Sequence, residues 1–209
     1  MQALPPLPGK ARSVLVGVSL VASIALYRFL PHPPNVTPLA AAALLLPTLI
    51  SRGGGNASAS AAGRVWRRWL PIFVVLSALF TGDLALELAA GLGSGAGVHR
   101  YMPAVYGSML LSTILGGRVA RGRSALIALV PVSSAAFFVL TNLSVWAIGD
   151  FYPRTWSGLG ACFLAAIPFG MRTLAGDLGF TVAFAVLGRV PLTRRGEVRA
   201  HLVAHGAQS

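Results

Sequence analysis

Long stretches of apolar residues dominate the chain, and short polar stretches separate them. A helix that crosses a bilayer core of about 30 Å needs about 20 apolar residues. Two of the apolar stretches are shorter than that, which is tolerated where protein rather than lipid surrounds the helix. The pattern predicts six transmembrane helices, over residues 13–30, 37–50, 69–91, 103–117, 124–149 and 157–188.

The composition favours a membrane protein over a soluble one. Of the 209 residues 55% are hydrophobic and 11% are charged, whereas a soluble domain has about 25% charged residues. So little polar surface cannot cover a globule in water, which argues against a soluble enzyme and a disordered chain. We therefore interpret the chain as an all-α integral membrane protein. A six-helix bundle over residues 13–189 is expected between a cytoplasmic segment 1–12 and a cytoplasmic tail 190–209.

The positive charges lie mainly in alternate connections. If the N-terminus is inside, thirteen of the 17 Lys and Arg residues fall in inner segments, and only Arg28, Arg100 and Arg154 fall in outer ones. Because positive charges favour cytoplasmic loops, this asymmetry predicts an even number of spans with both termini in the cytoplasm. The same topology explains the net charge of +12 more simply than nucleic-acid binding does.

Asp83 is the clearest charged residue within a predicted helix. It lies about 14 residues into the third span, about 21 Å from the inner boundary at 1.5 Å per residue. Charges at such depth are costly and rarely incidental. With Glu87 one turn later on the same face, Asp83 is expected to line an outward-facing pocket. The structural alternative is an ion pair of Asp83 with Arg28 or Arg100.

The first outer connection, RFLPHPPNVTP, contains four prolines that make it stiff and extended. A stiff loop can cover a pocket without a large ordering cost, and this one offers the polar side chains of His32, Asn35 and Thr37. The alternative is a rigid connector. Within this loop no second His, Cys or carboxylate lies at metal-ligand spacing.

Polar and aromatic side chains also gather around the last outer connection. Asn142 and Trp146 lie one turn apart near the end of the fifth helix. Tyr152 and Trp156 flank Arg154, and aromatic rings beside a guanidinium can hold a planar ligand. The alternatives are an interfacial aromatic belt and a helix–helix hydrogen bond made by Asn142.

The sixth span carries three further candidates. Cys162 is the single cysteine, so it cannot form an internal disulfide; it is either a small buried hydrophobe or a thiol with a role. Arg172 and Asp177 are five residues apart, a poor spacing for a direct pair. Each is expected to reach a neighbouring helix, either as a structural buried pair or as a functional relay.

Several motifs resemble those of an uncharacterised family of bacterial inner-membrane proteins, catalogued as a domain of unknown function. They are RFLPHPPNVTPLAA, the third helix with Asp83, SSAAFFVLTNLSVW and YPRTWSGLGACFLAAIPFGMRTLAGDLGFT, and they cover residues 27–188. The chain departs from the family pattern at Gly82, where Ser is usual, and at Arg172, about where Asn is common. The stretch ELAAGLGSGAGVHR resembles an insertion, which argues against a shared role for Glu87 and His99.

That family is in turn similar to the S components of energy-coupling factor (ECF) transporters, six-helix proteins that capture vitamins, their precursors or metal ions. The resemblance implies a substrate pocket in the outer half and a bacterial inner-membrane location. It also implies that small residues on the first helices dock against a transmembrane T subunit, and that two ATPases power the transport cycle. Ser19, Ala22, Ser23 and the alanines 40–43 could form such a face, or could serve packing within the chain.

The leading hypothesis is a substrate-binding membrane subunit of a vitamin or small-molecule uptake system, with no catalytic residue, metal or cofactor. The alternatives are a non-transporting scaffold and, more weakly, a membrane enzyme that uses Asp83 with Cys162 or His32. The sequence contains no P-loop, HExxH or GxSxG motif. The candidate substrate-binding residues are Arg28, His32, Asn35, Thr37, Asp83, Asn142, Trp146, Tyr152, Trp156, Cys162, Arg172 and Asp177.

Overall fold

Six α-helices make up the structure, a computed structural model that describes residues 9–53, 61–119 and 123–187. The described residues contain no strand, so the all-α prediction is confirmed. The predicted helix ends agree to within four residues, except that the third helix begins eight residues earlier. The predicted tail 190–209 and most of the segment 1–12 lie outside the described residues. The helices are α1 Gly9–Leu26, α2 Leu39–Gly53, α3 Ala61–Ala90, α4 Met102–Val119, α5 Arg123–Ile148 and α6 Trp156–Leu187.

In the described part of the chain, three stretches are long and apolar enough to cross a membrane. They are Arg68–Ala90 in α3, Ala125–Ile148 in α5 and Trp156–Phe184 in α6. Two shorter apolar helices accompany them, Gly17–Phe29 and Leu39–Thr48. Helices of this length and composition indicate a membrane protein.

The short helix α2 is the centre of the bundle, since it packs against all five other helices. Its alanines from Ala40 to Ala43 are at most 3% exposed. They therefore pack inside the molecule and offer no surface to a partner protein, which corrects their place in the predicted docking face. Small side chains let neighbouring helices approach closely, and Gly116 of α4 lies directly against the carbonyl of Leu44.

The α1–α2 connection reaches into the bundle. One turn of 3-10 helix, Tyr27–Phe29, follows α1, and a tight turn then brings the Val36 N–H within 3.2 Å of the Pro33 carbonyl. Asn35 has a φ of 65°, which suits the third position of a type II turn after proline. Gly176 lies against Val36, although it is twenty residues, about 30 Å, beyond the start of α6. The α1–α2 connection therefore contacts α6 at a point far from the α5–α6 connection, where α6 begins.

Candidate functional site

A cavity of about 450 Å³ lies between the α1–α2 connection and the helices α2 to α6. This volume is within the range of small-molecule sites, which run from about 300 to 1,000 Å³. One part of its wall is apolar, formed mainly by Met102, Val105, Met109 and Phe137. Its polar lining consists of Arg28, His32, Asn35, Thr37, Asp83, His99, Thr173 and Asp177.

Asp83 is held on both of its carboxylate oxygens. The Arg28 guanidinium forms an ion pair with Oδ1, and the Tyr106 hydroxyl donates to Oδ2 over 2.7 Å. The Asp83 side chain is 4% exposed and that of Arg28 is 24% exposed. Gly82 lets α3 approach α1, because a Cβ there would lie only 3.1 Å from the Ala25 carbonyl oxygen. Of the two alternatives for Asp83, the pair with Arg28 is therefore present, and it lies in the cavity wall.

Asp177 faces the same cavity from α6 and is 1% exposed. Ser134 of α5 donates a hydrogen bond of 2.6 Å to its Oδ2. Within residues 9–53, 61–119 and 123–187, the ion pairs are those of Arg28 with Asp83 and of Arg100 with Asp150. Asp177 is therefore a buried carboxylate without a cationic partner in the described part of the chain. Arg172 does not supply one, since it is exposed on α6.

Two histidines complete the polar wall. His32 Nδ1 lies 2.6 Å from the Leu30 carbonyl oxygen, and its ring packs 4.7 Å from that of Tyr27. Partial burial lowers the pKa of His99, and the nearby positive charge of Arg28 lowers it further, against the opposing effect of Glu87. His99 thus presents a neutral imidazole at pH 7, with a buried Nδ1 that has no hydrogen-bond partner among the described residues. The spacing of residues in the sequence did not indicate His99 as a site residue, because His99 reaches the cavity only through the fold of residues 91–101.

Glu87 does not line the cavity, which corrects the expectation that it shares a pocket with Asp83. Its carboxylate instead accepts hydrogen bonds from four backbone N–H groups of the α3–α4 connection, at 2.8 to 3.2 Å. Gly93 and Gly95 adopt positive φ angles of 85° and 73°, which only glycine reaches without strain. This segment wraps around an anion as a backbone nest does. In the sequence, the pattern that could have indicated this nest is glycine at every second position after a helical Glu.

A family model for a family of unknown function (DUF6580) matches residues 9–195. The chain belongs to this family. Neither the search of curated proteins nor that of solved structures found a match to this chain. Because the function of the family is unknown, the function of this DUF6580 member is argued from its site.

The structure brings together six of the twelve predicted site residues, and six lie elsewhere in this DUF6580 protein. Among the described residues, no three His, Cys, Asp or Glu side chains group closely enough to hold a metal ion. The residues in the cavity wall are Arg28, His32, Asn35, Thr37, Asp83 and Asp177. Those that do not line this cavity are Asn142, Trp146, Tyr152, Trp156, Cys162 and Arg172.

The polar side chains at the α5–α6 end donate to backbone carbonyls of the same region. Asn142 donates to the carbonyl of Phe138 in its own helix, at 2.7 Å, and the Cys162 thiol lies 3.5 Å from the Asn142 carbonyl. Trp146 Nε1 donates to the Pro153 carbonyl at 3.0 Å. Cys162 is thus buried at the α5–α6 contact, away from the cavity, and the conceivable catalytic set of Asp83 with Cys162 is not assembled.

Arg154 fastens the α5–α6 connection to the end of α5. Its guanidinium donates to the backbone carbonyls of Trp146, Gly149 and Tyr152. A cation suits this position, because the last carbonyls of a helix lack partners and carry partial negative charge. Trp156 is 87% exposed. The predicted planar-ligand site of Tyr152 and Trp156 around Arg154 is therefore a helix end with its own hydrogen bonds.

Proposed function

We propose that this protein is the membrane-embedded, substrate-binding subunit of a small-molecule uptake transporter, similar to the S components of ECF transporters. The observation that carries the proposal is the 450 Å³ cavity, whose wall includes a buried carboxylate, Asp177, without a cationic partner among the residues that the structure describes. Burying a carboxylate is costly when, like Asp177, it accepts a hydrogen bond from Ser134 but has no cationic partner among the described residues. A ligand in the cavity would supply that partner.

The charges in the wall define the class of ligand. Arg28 and Asp83 neutralise each other, and His99 is neutral at pH 7 because its pKa is lowered. Asp177 then leaves the cavity with one negative charge. The ligand is therefore a small vitamin-like compound with a protonated amine, or a cluster of N–H donors, directed at Asp177. Its apolar body would rest on Met102, Met109 and Phe137.

The proposed topology has six spans in a bacterial inner membrane, with both termini in the cytoplasm. The distribution of positive charge supports it. The α1–α2 and α3–α4 connections then lie toward the periplasm, so the ligand enters from outside. An ATPase-driven T subunit would dock against α1, where Val18 and Ser19 are exposed and Ala22 is half-buried.

Replacing the unpaired carboxylate tests this function. Wild type, Asp177→Asn and the control Asp150→Asn are purified in a mild detergent, and mass spectrometry of the extracts identifies co-purified small molecules. Asp150 is a suitable control because its side chain is 82% exposed in a pair with Arg100. We expect one compound to be enriched with wild type and Asp150→Asn and at least tenfold depleted from Asp177→Asn, since a hydrogen bond to a charged group contributes about 1.5–3 kcal/mol. Equal amounts in all three proteins would remove Asp177 from the site.

A scaffold without a ligand is the second candidate. The observation that favours it is that Asn142 and Trp146, which were predicted to bind a ligand, donate to backbone carbonyls of the chain. The nearby Arg154 does the same. Under this alternative no small molecule is enriched with wild type. A membrane complex would instead co-purify, and its recovery would not change in Asp177→Asn.

A further inference from the structure

A second cavity, of about 480 Å³, lies between α2, α3 and α4, and it shares no lining residue with the first. The guanidinium-bearing residues Arg68 and Arg118 both line it, together with Trp69. Both arginines are exposed. Neither is part of the ion pairs found among the described residues. The cavity is therefore a positively charged recess, and no carboxylate among the described residues pairs with its arginines.

An apolar groove continues from this recess along α3. The groove has a volume of about 720 Å³, and Trp69 and Ile72 line both spaces. It runs past Phe73, which is 68% exposed, to Phe80, which is 54% exposed. Eleven residues separate Trp69 from Phe80, a distance of about 16 Å along the helix. This is about half of a hydrocarbon core of about 30 Å, the depth that the acyl chains of one leaflet fill.

The recess lies where a membrane boundary is expected. Arg68 is the first residue of the apolar span Arg68–Ala90, and Arg118 lies in the last turn of α4. In membrane proteins, tryptophan is enriched at this boundary between membrane and water. The two guanidinium groups are thus at headgroup depth, while the groove extends toward the hydrocarbon.

We propose that this recess and groove form a binding site for an anionic phospholipid. Its phosphate lies between Arg68 and Arg118, because guanidinium groups match the geometry of phosphate oxygens. One acyl chain lies along α3 between Trp69 and Phe80. Basic pockets between helices are known binding places for anionic headgroups. The groove distinguishes this site from one for free phosphate, because an inorganic ion would leave the apolar part uncovered.

The experiment measures lipid binding to the full chain in detergent. Delipidated protein is titrated with phosphatidylglycerol, and the thermal unfolding midpoint and lipid adducts in native mass spectrometry are recorded. Phosphatidylcholine with the same acyl chains tests the charge requirement, and inorganic phosphate tests the need for a lipid. The variants are Arg68→Gln and Arg118→Gln, singly and together, and Gly117→Leu. The control Arg172→Gln is exposed on α6 and matches each single variant in charge. Gly117 lines the recess beside Pro47, so a leucine there fills space while both arginines remain.

We expect phosphatidylglycerol to raise the unfolding midpoint of wild type and Arg172→Gln. Its affinity should fall about fivefold for each arginine removed, and Gly117→Leu should weaken binding with the charges intact. Equal phosphatidylglycerol affinity in wild type and the double variant would overturn the proposal. So would equal binding of phosphatidylcholine, or an equal effect of inorganic phosphate alone. The cavity with Asp177 takes no part in any of these measurements.

Discussion

Asp83 shows how a carboxylate is accommodated inside an apolar helix. It is 3% exposed as a residue, and its charge is balanced by Arg28 and hydrogen-bonded by Tyr106. Removing one member of a buried ion pair is more harmful than replacing both, because the remaining charge is left without a partner. The three residues should therefore behave as one unit.

The first residue-level prediction follows from that unit. Asp83→Asn should lower the free energy of unfolding by about 3 kcal/mol, since Arg28 then loses its counter-charge. Tyr106→Phe should cost only about 1.5 kcal/mol, because the ion pair remains. Thermal or denaturant unfolding of the purified protein measures both. The triple variant Arg28→Met, Asp83→Leu, Tyr106→Phe should recover most of the loss, and a triple variant less stable than Asp83→Asn would contradict this account.

His99 gives a prediction about pH. Its pKa is lowered in the folded protein by partial burial and by Arg28, whereas in the unfolded chain it is about 6.5. As the pH falls below about 6.5, the unfolded chain takes up a proton that the folded protein resists, so stability falls. Above pH 7 both states are neutral at this residue and the effect vanishes.

The comparison of wild type with His99→Gln isolates this effect. As the pH is lowered from 7 to 5, the thermal unfolding midpoint of wild type should decline relative to that of the variant. Above pH 7 the difference between the two midpoints should be constant. Other groups titrate in both proteins and cancel in the difference. A difference that is constant across the whole range would show that His99 has no depressed pKa.

At the scale of helices, apolar stretches were a good guide because a membrane helix must be apolar along most of its length. The depth of the α1–α2 connection could not be predicted in the same way. It depends on contacts between distant segments, such as that of Gly176 with Val36, which no local pattern encodes. For the same reason the sequence could offer both Arg28 and Arg100 as partners of Asp83 without choosing between them.

The structure brings some of the predicted site residues together at the cavity and places others elsewhere. Candidates on the connection after α1 and in α3 meet at the cavity because the short helices α1 and α2 bring that connection inside the bundle. Asn142 and Trp146 do not reach it, because their hydrogen bonds are made to nearby backbone carbonyls. A polar residue in an apolar helix thus indicates that a partner exists, but the sequence does not show whether that partner is a ligand or the backbone.

The close approach of α2 and α4 can be tested with two glycines of the same helix. A Cβ at Gly116 would collide with the backbone carbonyl of Leu44, whereas a Cβ at Gly107 would meet nothing within 4 Å. Gly116→Ala should therefore destabilise the protein by about 1–3 kcal/mol. Gly107→Ala should be neutral or stabilising by up to about 1 kcal/mol, since alanine favours helix. Equal unfolding midpoints for the two variants would show that α4 does not pack tightly on α2.

At the scale of the whole molecule, the two cavities differ in the charges that line them. The cavity at the α1–α2 connection combines Arg28, Asp83 and Asp177, while the recess on α3 and α4 presents Arg68 and Arg118. Arg68 begins the span Arg68–Ala90 and Asp83 lies near its end. If that span crosses the bilayer, a ligand and an anionic lipid would bind from opposite leaflets. The orientation of α3 thus decides how both proposals relate to the membrane.

Cysteine labelling in intact cells measures that orientation. The native Cys162 is buried, so it should react slowly and give a low background. Ser94 lies in the connection after α3 and is exposed, and Ser60 precedes α3 in the sequence. The positive-inside rule places the basic side of α3 in the cytoplasm. A membrane-impermeant maleimide should therefore label Ser94→Cys in intact cells, and should label Ser60→Cys only after the membrane is permeabilised. The reverse pattern would invert the topology and leave the cavity with Asp177 open to the cytoplasm, where an uptake subunit could not capture its ligand.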